Sequence, residues 1–169
     1  MRQQIRHKSD RGFTLVELAI VFVIIGILAA VSAPNLLGLL NRYRVKQATH
    51  VLVGAIKEAQ GQAMRQGKIC RIEIDTSSNT LTGQPTNCLL SERRINDRLT
   101  LRTNIPGTIP NIAFSYRGST TKMGTIVVSA KNVEMQQCFV ISLGTGIART
   151  GIYTGAKTGS VSAANCQKI

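Results

Sequence analysis

Apolar and polar positions change rhythm twice along this chain. From Leu18 to Asn41 no residue is charged, and the aliphatic side chains fall on every side of a helix drawn through them. Those 24 positions exceed the roughly 20 that a helix needs to cross a bilayer. Beyond them Val45, Ala48, Leu52, Ala55, Ile56, Ala59 and Ala63 recur mostly at intervals of three and four, while Lys46, Thr49, His50, Lys57 and Arg65 lie off that stripe. The spacing predicts an amphipathic helix laid on an apolar partner. Gly54 and Gly61 each cost about 1 kcal/mol relative to alanine, so packing must support it. Gly67, behind Arg65, predicts its end. One helix from Phe13 to about Gln66 would be roughly 80 Å long at about 1.5 Å per residue.

After Gly67 the period becomes two. Cys70-Arg71-Ile72-Glu73-Ile74-Asp75 alternates strictly and predicts a half-buried strand, turned by Ser77-Ser78-Asn79 toward Thr80-Leu81-Thr82. Ile112 to Arg117 alternates again before Gly118 and Ser119. Gly124 to Ser129, Cys138 to Leu143 and Ile147 to Tyr153 read as further strands, with a loop marked by Pro106-Gly107 and Pro110. The tail from Thr154 to Ile169 has little apolar content, so Cys166 is expected to staple it down. No internal repeat is present. The fold expected is α+β: a long N-terminal helix, first transmembrane and then amphipathic, packed on a small antiparallel β-sheet or sandwich domain.

Charge sets the orientation. Arg2, Arg6, Lys8 and Arg11 precede the apolar run against one Asp10, which keeps that end cytoplasmic and exports the rest. All four cysteines, Cys70, Cys88, Cys138 and Cys166, fall on the exported side, where two disulfides are the default. Three pairings are open; loop locality favours Cys70 with Cys88 and Cys138 with Cys166. Zinc would want tighter Cys-x-x-Cys spacing and a histidine, so no metal and no cofactor is expected. Beyond Asn41 there are 17 basic residues against 6 acidic, a surplus of +11 that implies polyanionic company or mutual repulsion.

The basic start and apolar run are also those of a secretory signal peptide, with Val31-Ser32-Ala33 as its cleavage site. Against it stand the proline that follows, the length of the run and the carboxylate of Glu17. A plain signal anchor accounts for all but Glu17 and the junction Arg11-Gly12-Phe13. An ionised side chain in hydrocarbon costs about 3 kcal/mol even on lenient scales, so Glu17 needs a reason.

Gly12-Phe13-Thr14-Leu15-Val16-Glu17 ahead of an apolar helix resembles the prepilin signature of type IV pilins and type II secretion pseudopilins. The resemblance implies cleavage by prepilin peptidase between Gly12 and Phe13, methylation of the new Phe13 amine, and Glu17 pairing with such an amine on a neighbouring subunit during assembly. Gly26 and Pro34 fall where these proteins carry helix-loosening residues; proline removes one helical hydrogen bond and kinks the helix. The implied organisation is a leader at 1–12, a transmembrane and filament-core helix at 13–40, an amphipathic helix at 41–67 and a β-rich extracytoplasmic domain at 68–169. Later stretches narrow the resemblance to H-type (FimT/GspH-like) minor pilins and pseudopilins. They are Glu58 to Gly67 leading into a strand, Phe114-Ser115-Tyr116-Arg117-Gly118 before Gly124 to Val128, and Val140-Ile141-Ser142 before Gly144 to Gly151. The implied partners are prepilin peptidase, other pilins or pseudopilins and the inner membrane.

Catalysis is not expected. His7 is lost with the leader, His50 lies among polar helix neighbours, and no nucleophile has a recognisable base. Nucleic-acid binding is the better question. Arg94, Arg98 and Arg102 share strand parity, with Arg93 beside them, so an extended segment would line three guanidinium groups for phosphates. DNA-binding relatives of this type carry Gly-Arg-x-Arg near the C-terminus. Here Gly146-Ile147-Ala148-Arg149 replaces the first arginine, which weakens the inference and leaves Arg149 and Lys157 as candidates. Two roles compete within the pilin reading, a DNA receptor for transformation and an assembly subunit for secretion or pilus growth. The alternative outside it is a signal-anchored polyanion-binding domain that never joins a filament.

Overall fold

Helix α1 (Leu15–Gln66) opens on Thr14 and closes on Gly67. At its end Gly67 takes φ 65°, and the Lys68 amide donates to the Ala63 carbonyl at 3.3 Å. That bond satisfies a carbonyl the helix would leave orphaned, and glycine reaches the left-handed turn without a Cβ penalty. The computed structural model describes residues 12–168, the side chains of 31–35 excepted. The chain divides between Leu37 and Gly38 into two compact units.

In the second unit, all seven stripe residues from Val45 to Ala63 are buried. Thr49, expected off the stripe, is buried as well. Its hydroxyl donates to the Val45 carbonyl at 3.0 Å, so the polar group is satisfied inside its own helix. His50 is exposed, in keeping with its polar neighbours.

Nine strands follow among the described residues: β1 (Cys70–Asp75), β2 (Thr80–Gln84), β3 (Arg93–Arg94), β4 (Leu99–Thr103), β5 (Asn111–Phe114), β6 (Gly124–Ala130), β7 (Gln136–Ile141), β8 (Ala148–Tyr153) and β9 (Cys166–Lys168). They form two antiparallel sheets, ordered β3-β2-β1-β5 and β4-β6-β7-β8-β9. One apolar core joins the helix stripe to both. Ile72, Ile74, Leu81, Ile112 and Phe114 come from the first sheet; Leu101, Ile126, Val128, Phe139 and Ile141 come from the second.

Strict alternation in β1 follows from one covered face. The continuous apolar runs in β6 and β7 follow from two. The second face of the larger sheet carries Val127, Cys138, Val140, Tyr153 and Cys166, and Val161 and Ala163 of the tail pack on it. The polar tail thus contributes a small core of its own and a last strand. Disulfides join Cys70 to Cys88 and Cys138 to Cys166, the pairs that loop locality favours. The second ties β7 to β9 and closes the tail over the sheet.

Candidate functional site

The first turn of α1 explains Thr14 before it explains Glu17. A helix leaves its first amides without intrahelical acceptors, and an apolar setting offers no water to replace them. Thr14 answers one: its hydroxyl accepts from the Glu17 amide at 3.2 Å. The Glu17 carboxylate reaches back to accept from the Thr14 amide at 3.4 Å. This is a capping box, and its carboxylate also sits at the positive end of the helix dipole. Thr14-x-x-Glu17 ahead of an apolar run is the sequence signal for it, and a reading centred on the Gly12-Phe13 junction passes it over. Gly12 and Phe13 precede the helix and are exposed; residues 1–11 of the expected leader lie outside the described residues.

Every residue from 12 to 30 is exposed, and nearly all of them past Phe13 are apolar. A surface of that kind calls for lipid or other apolar helices as its surroundings. Among the described residues no helix is long and apolar enough to cross a membrane; the span expected at 13–40 includes 31–35, which lie outside the described side chains. Gly26 has open space where a Cβ would stand. Pro34 falls within 31–35, outside the described side chains, and α1 runs through its position unbroken.

The five cationic candidates do not form one stripe. Arg94 ends β3 in the smaller sheet, Arg98 sits in a turn, and Arg102 lies in β4 of the larger sheet. Parity carries side chains to one face only along an unbroken strand, and the turn at 97–98 breaks it. Arg102 is no surface cation. It is half-buried, donates to the Gln136 side chain at 2.8 Å and to the Ala156 carbonyl at 2.9 Å, and stacks 5.8 Å from the centre of the Tyr153 ring. Its work is to pin the tail. Lys157 pairs with Glu134 at 2.7 Å, and Arg93 with Glu58 at 3.0 Å. Arg149 is exposed on β8.

Gly146 has a packing reason to be glycine. Its φ is 64°, and a Cβ there would lie 2.6 Å from the Gly118 carbonyl oxygen and 2.9 Å from the Gln60 amide nitrogen. The Gln60 amide donates to that same Gly118 carbonyl at 2.8 Å, which locks the turn onto α1.

Arg94 and Arg98 do converge, with a third arginine the spacing did not bring in. Arg44 of α1 joins them around an open groove of about 540 Å³ between the helix and the β3–β4 turn. Among the described residues no three His, Cys, Asp or Glu side chains gather as metal ligands.

Comparison with known proteins spans most of the chain. Residues 7–33 match the model of the prokaryotic N-terminal methylation motif. A fimbrial protein of Pseudomonas aeruginosa is 34% identical over 137 residues, covering 78% of this chain and 86% of that one. The type II secretion system core protein G of Klebsiella michiganensis is 58% identical over 33 residues, covering 20% of this chain and 23% of its own length. The crystal structure of the type IV minor pilin FimU of Pseudomonas aeruginosa superposes with a TM-score of 0.52 at 14% identity, over 66% of this chain and 89% of that one. At that identity the likeness is one of fold.

Proposed function

The chain belongs to the type IV pilin-like family, and from that premise we propose that it is a minor pilin or pseudopilin subunit matured by prepilin peptidase. The cut falls between Gly12 and Phe13, and the freed Phe13 amine is methylated. Residues 13–40 hold the subunit in the inner membrane with its N-terminus cytoplasmic and its β-domain outside. During assembly the same segment moves into a filament core, where Glu17 meets the amine of a neighbouring subunit. The single observation that carries this reading is the exposed surface from Phe13 to Ala30, whose one ionisable side chain, Glu17, is held at the first turn by Thr14. An apolar surface so exposed needs an assembly or a bilayer. A carboxylate within it needs a cation at the same depth.

The role is structural, as assembly and anchoring need no catalytic group. DNA contact has narrower support. Of the five residues singled out for it, Arg102 and Lys157 are engaged within the chain, and the groove that holds Arg94 and Arg98 does not include Arg149. Intact mass of the protein recovered from its native membrane tests the main reading. The expected chain begins at methylated Phe13; a start at Met1 or at Pro34 would overturn it.

A further inference from the structure

We propose that the groove between α1 and the β3–β4 turn binds the phosphate of an anionic phospholipid headgroup, an inference that rests on the membrane-anchored reading above. Three arginines face it, from two elements far apart in sequence: Arg44 from the helix, Arg94 and Arg98 from either end of the turn. Gln47 and Asn96 add amide donors to its wall, and Ile95 and Leu99 form an apolar floor.

The turn that presents Arg98 is braced rather than loose. Asn79, in the left-handed region at φ 55°, accepts from the Ile95 amide at 2.9 Å and donates its side-chain amide to the Leu99 carbonyl at 3.0 Å. Asn96 then closes the turn by accepting from the Arg98 amide at 3.0 Å. The bases of the guanidinium groups are therefore set before any ligand arrives.

Their charge is not spent inside the chain. Asp97 is the only carboxylate in the groove wall. It meets Arg94 at 3.4 Å through either oxygen, both side chains being about two-thirds exposed or more. A pair that long and that wet is easily exchanged for a phosphate. Arg44 gives one N–H to the Asn41 side chain at 2.8 Å and keeps the rest of its fork. Among the described residues Arg98 has no hydrogen-bond acceptor for its guanidinium and no ion pair.

Depth selects the ligand. The uncharged run ends at Asn41, and Leu39, Leu40 and Tyr43 beside it are exposed. Arg44 follows Leu40 by four residues, about 6 Å along a helix, and Gln47 by about 10 Å. Headgroup layers are roughly 5–8 Å thick on each side of the hydrocarbon. The mouth of the groove thus lies at the phosphate layer when Leu39 and Leu40 reach the edge of the hydrocarbon, with Tyr43 as an interfacial aromatic. A DNA duplex at that level would have to approach a surface of like charge, and it would find one patch of three cations instead of an extended track. A bound headgroup would hold the β-domain at the bilayer until the subunit is drawn into a filament.

The test uses the full chain in phosphatidylcholine nanodiscs and in nanodiscs of an equimolar phosphatidylcholine and phosphatidylglycerol mixture. Native mass spectrometry reads the lipid retained on release. Phosphatidylglycerol is expected to stay bound in preference, with retention falling about fivefold for each arginine removed, in Arg98→Gln and again in the Arg94→Gln/Arg98→Gln pair. Lys131→Gln, an exposed cation elsewhere, should leave retention at the parent level. Arg98→Gln removes a guanidinium with no partner among the described residues, so its fold, checked by circular dichroism, should be intact. Equal retention of the two lipids, or parent-level retention in the pair, overturns the proposal. So does displacement by equal concentrations of a DNA duplex or of inorganic phosphate. Flotation with phosphatidylcholine vesicles separates the two readings: a chain that fails to float ends the anchored reading as well, whereas one that floats without lipid preference ends only this one.

Discussion

Two stretches of the same helix, 15–30 and 45–63, are built from similar aliphatic residues and meet opposite fates. The first is exposed at each residue. The second is apolar along one stripe, and two sheets bury that stripe to a few per cent exposure or less. One helix thus divides its hydrophobic surface between an exposed stretch and a buried core. Where the apolar residues go all round, the surface stays exposed; where a polar face remains, the chain's own β-domain buries the apolar one. Substitutions in the two stretches should therefore fail in different assays.

The largest effect is expected from Glu17→Leu. On the proposed pairing of Glu17 with a neighbouring amine, its loss should lower filament incorporation on the order of a hundredfold or more. The melting temperature of the β-domain should stay at the parent value. Pulldown of assembled filaments with calorimetry on the same preparation checks both. A fall in melting temperature without loss of incorporation would erase the contrast between the stretches.

Leu52→Ala inverts the outcome. Leu52 is fully buried in the core that joins the two sheets, and truncation leaves a cavity there. A cost of about 3 kcal/mol is expected in denaturant unfolding of the full chain in detergent. Incorporation per folded subunit should be unchanged. Ile24→Ala, at an exposed site of the first stretch, is the paired control, and no comparable loss of stability is expected from it.

How far this division can be seen in the sequence depends on the range of the interaction. The stripe from Val45 to Ala63 and the alternation in β1 are local, and each apolar position in them is buried. Thr49 escapes the pattern because its partner is one helical turn back rather than across the core. Parity misplaces the arginines of β3 and β4 because it assumes one strand, whereas Asn79 holds a turn between two sheets. Arg102 resembles a free cation in the sequence because its acceptors lie 34 and 54 residues away. The tail looks inert because its apolar residues are few and small: Val161 and Ala163 pack on a sheet face that no periodicity marks, and Cys166 ends that face in β9. Thr14 is the opposite case, a local signal four residues long that needs only the rule for helix starts.

Thr14→Ala sharpens the comparison within the first stretch. Losing the hydroxyl that accepts from the Glu17 amide should cost about 1 kcal/mol at the helix start. Amide exchange in the first turn, followed in micelles, should then quicken about fivefold. No change is expected beyond Val45. Thr14→Ser, which keeps the acceptor, should exchange at the parent rate.

The smallest effect sets a second carboxylate against Glu17. Asp75 closes the β1–β2 turn, accepting from the Ser77 amide at 2.8 Å and the Ser78 amide at 3.2 Å as well as from the Ser77 hydroxyl. Hydrogen bonds from the serine side chains first, and from their amides next, hold its carboxyl well below the ordinary carboxylate range. A group depressed in the folded state contributes stability above its unfolded value, about pH 4, and loses it as pH falls further. The turn is open to solvent, so salt and water screen the contribution. The parent should therefore lose slightly more stability between pH 6 and pH 3 than Asp75→Asn does, a gap read by thermal melts at both pH values. Glu17 sits beyond the reach of that experiment. Its hydrogen bonds lie at the first turn of α1, in the exposed apolar stretch and away from the β-domain that the melts report. A variant gap at Asp75, with Glu17→Gln melting at the parent temperature, would place the two carboxylates on the two sides of the division that α1 draws.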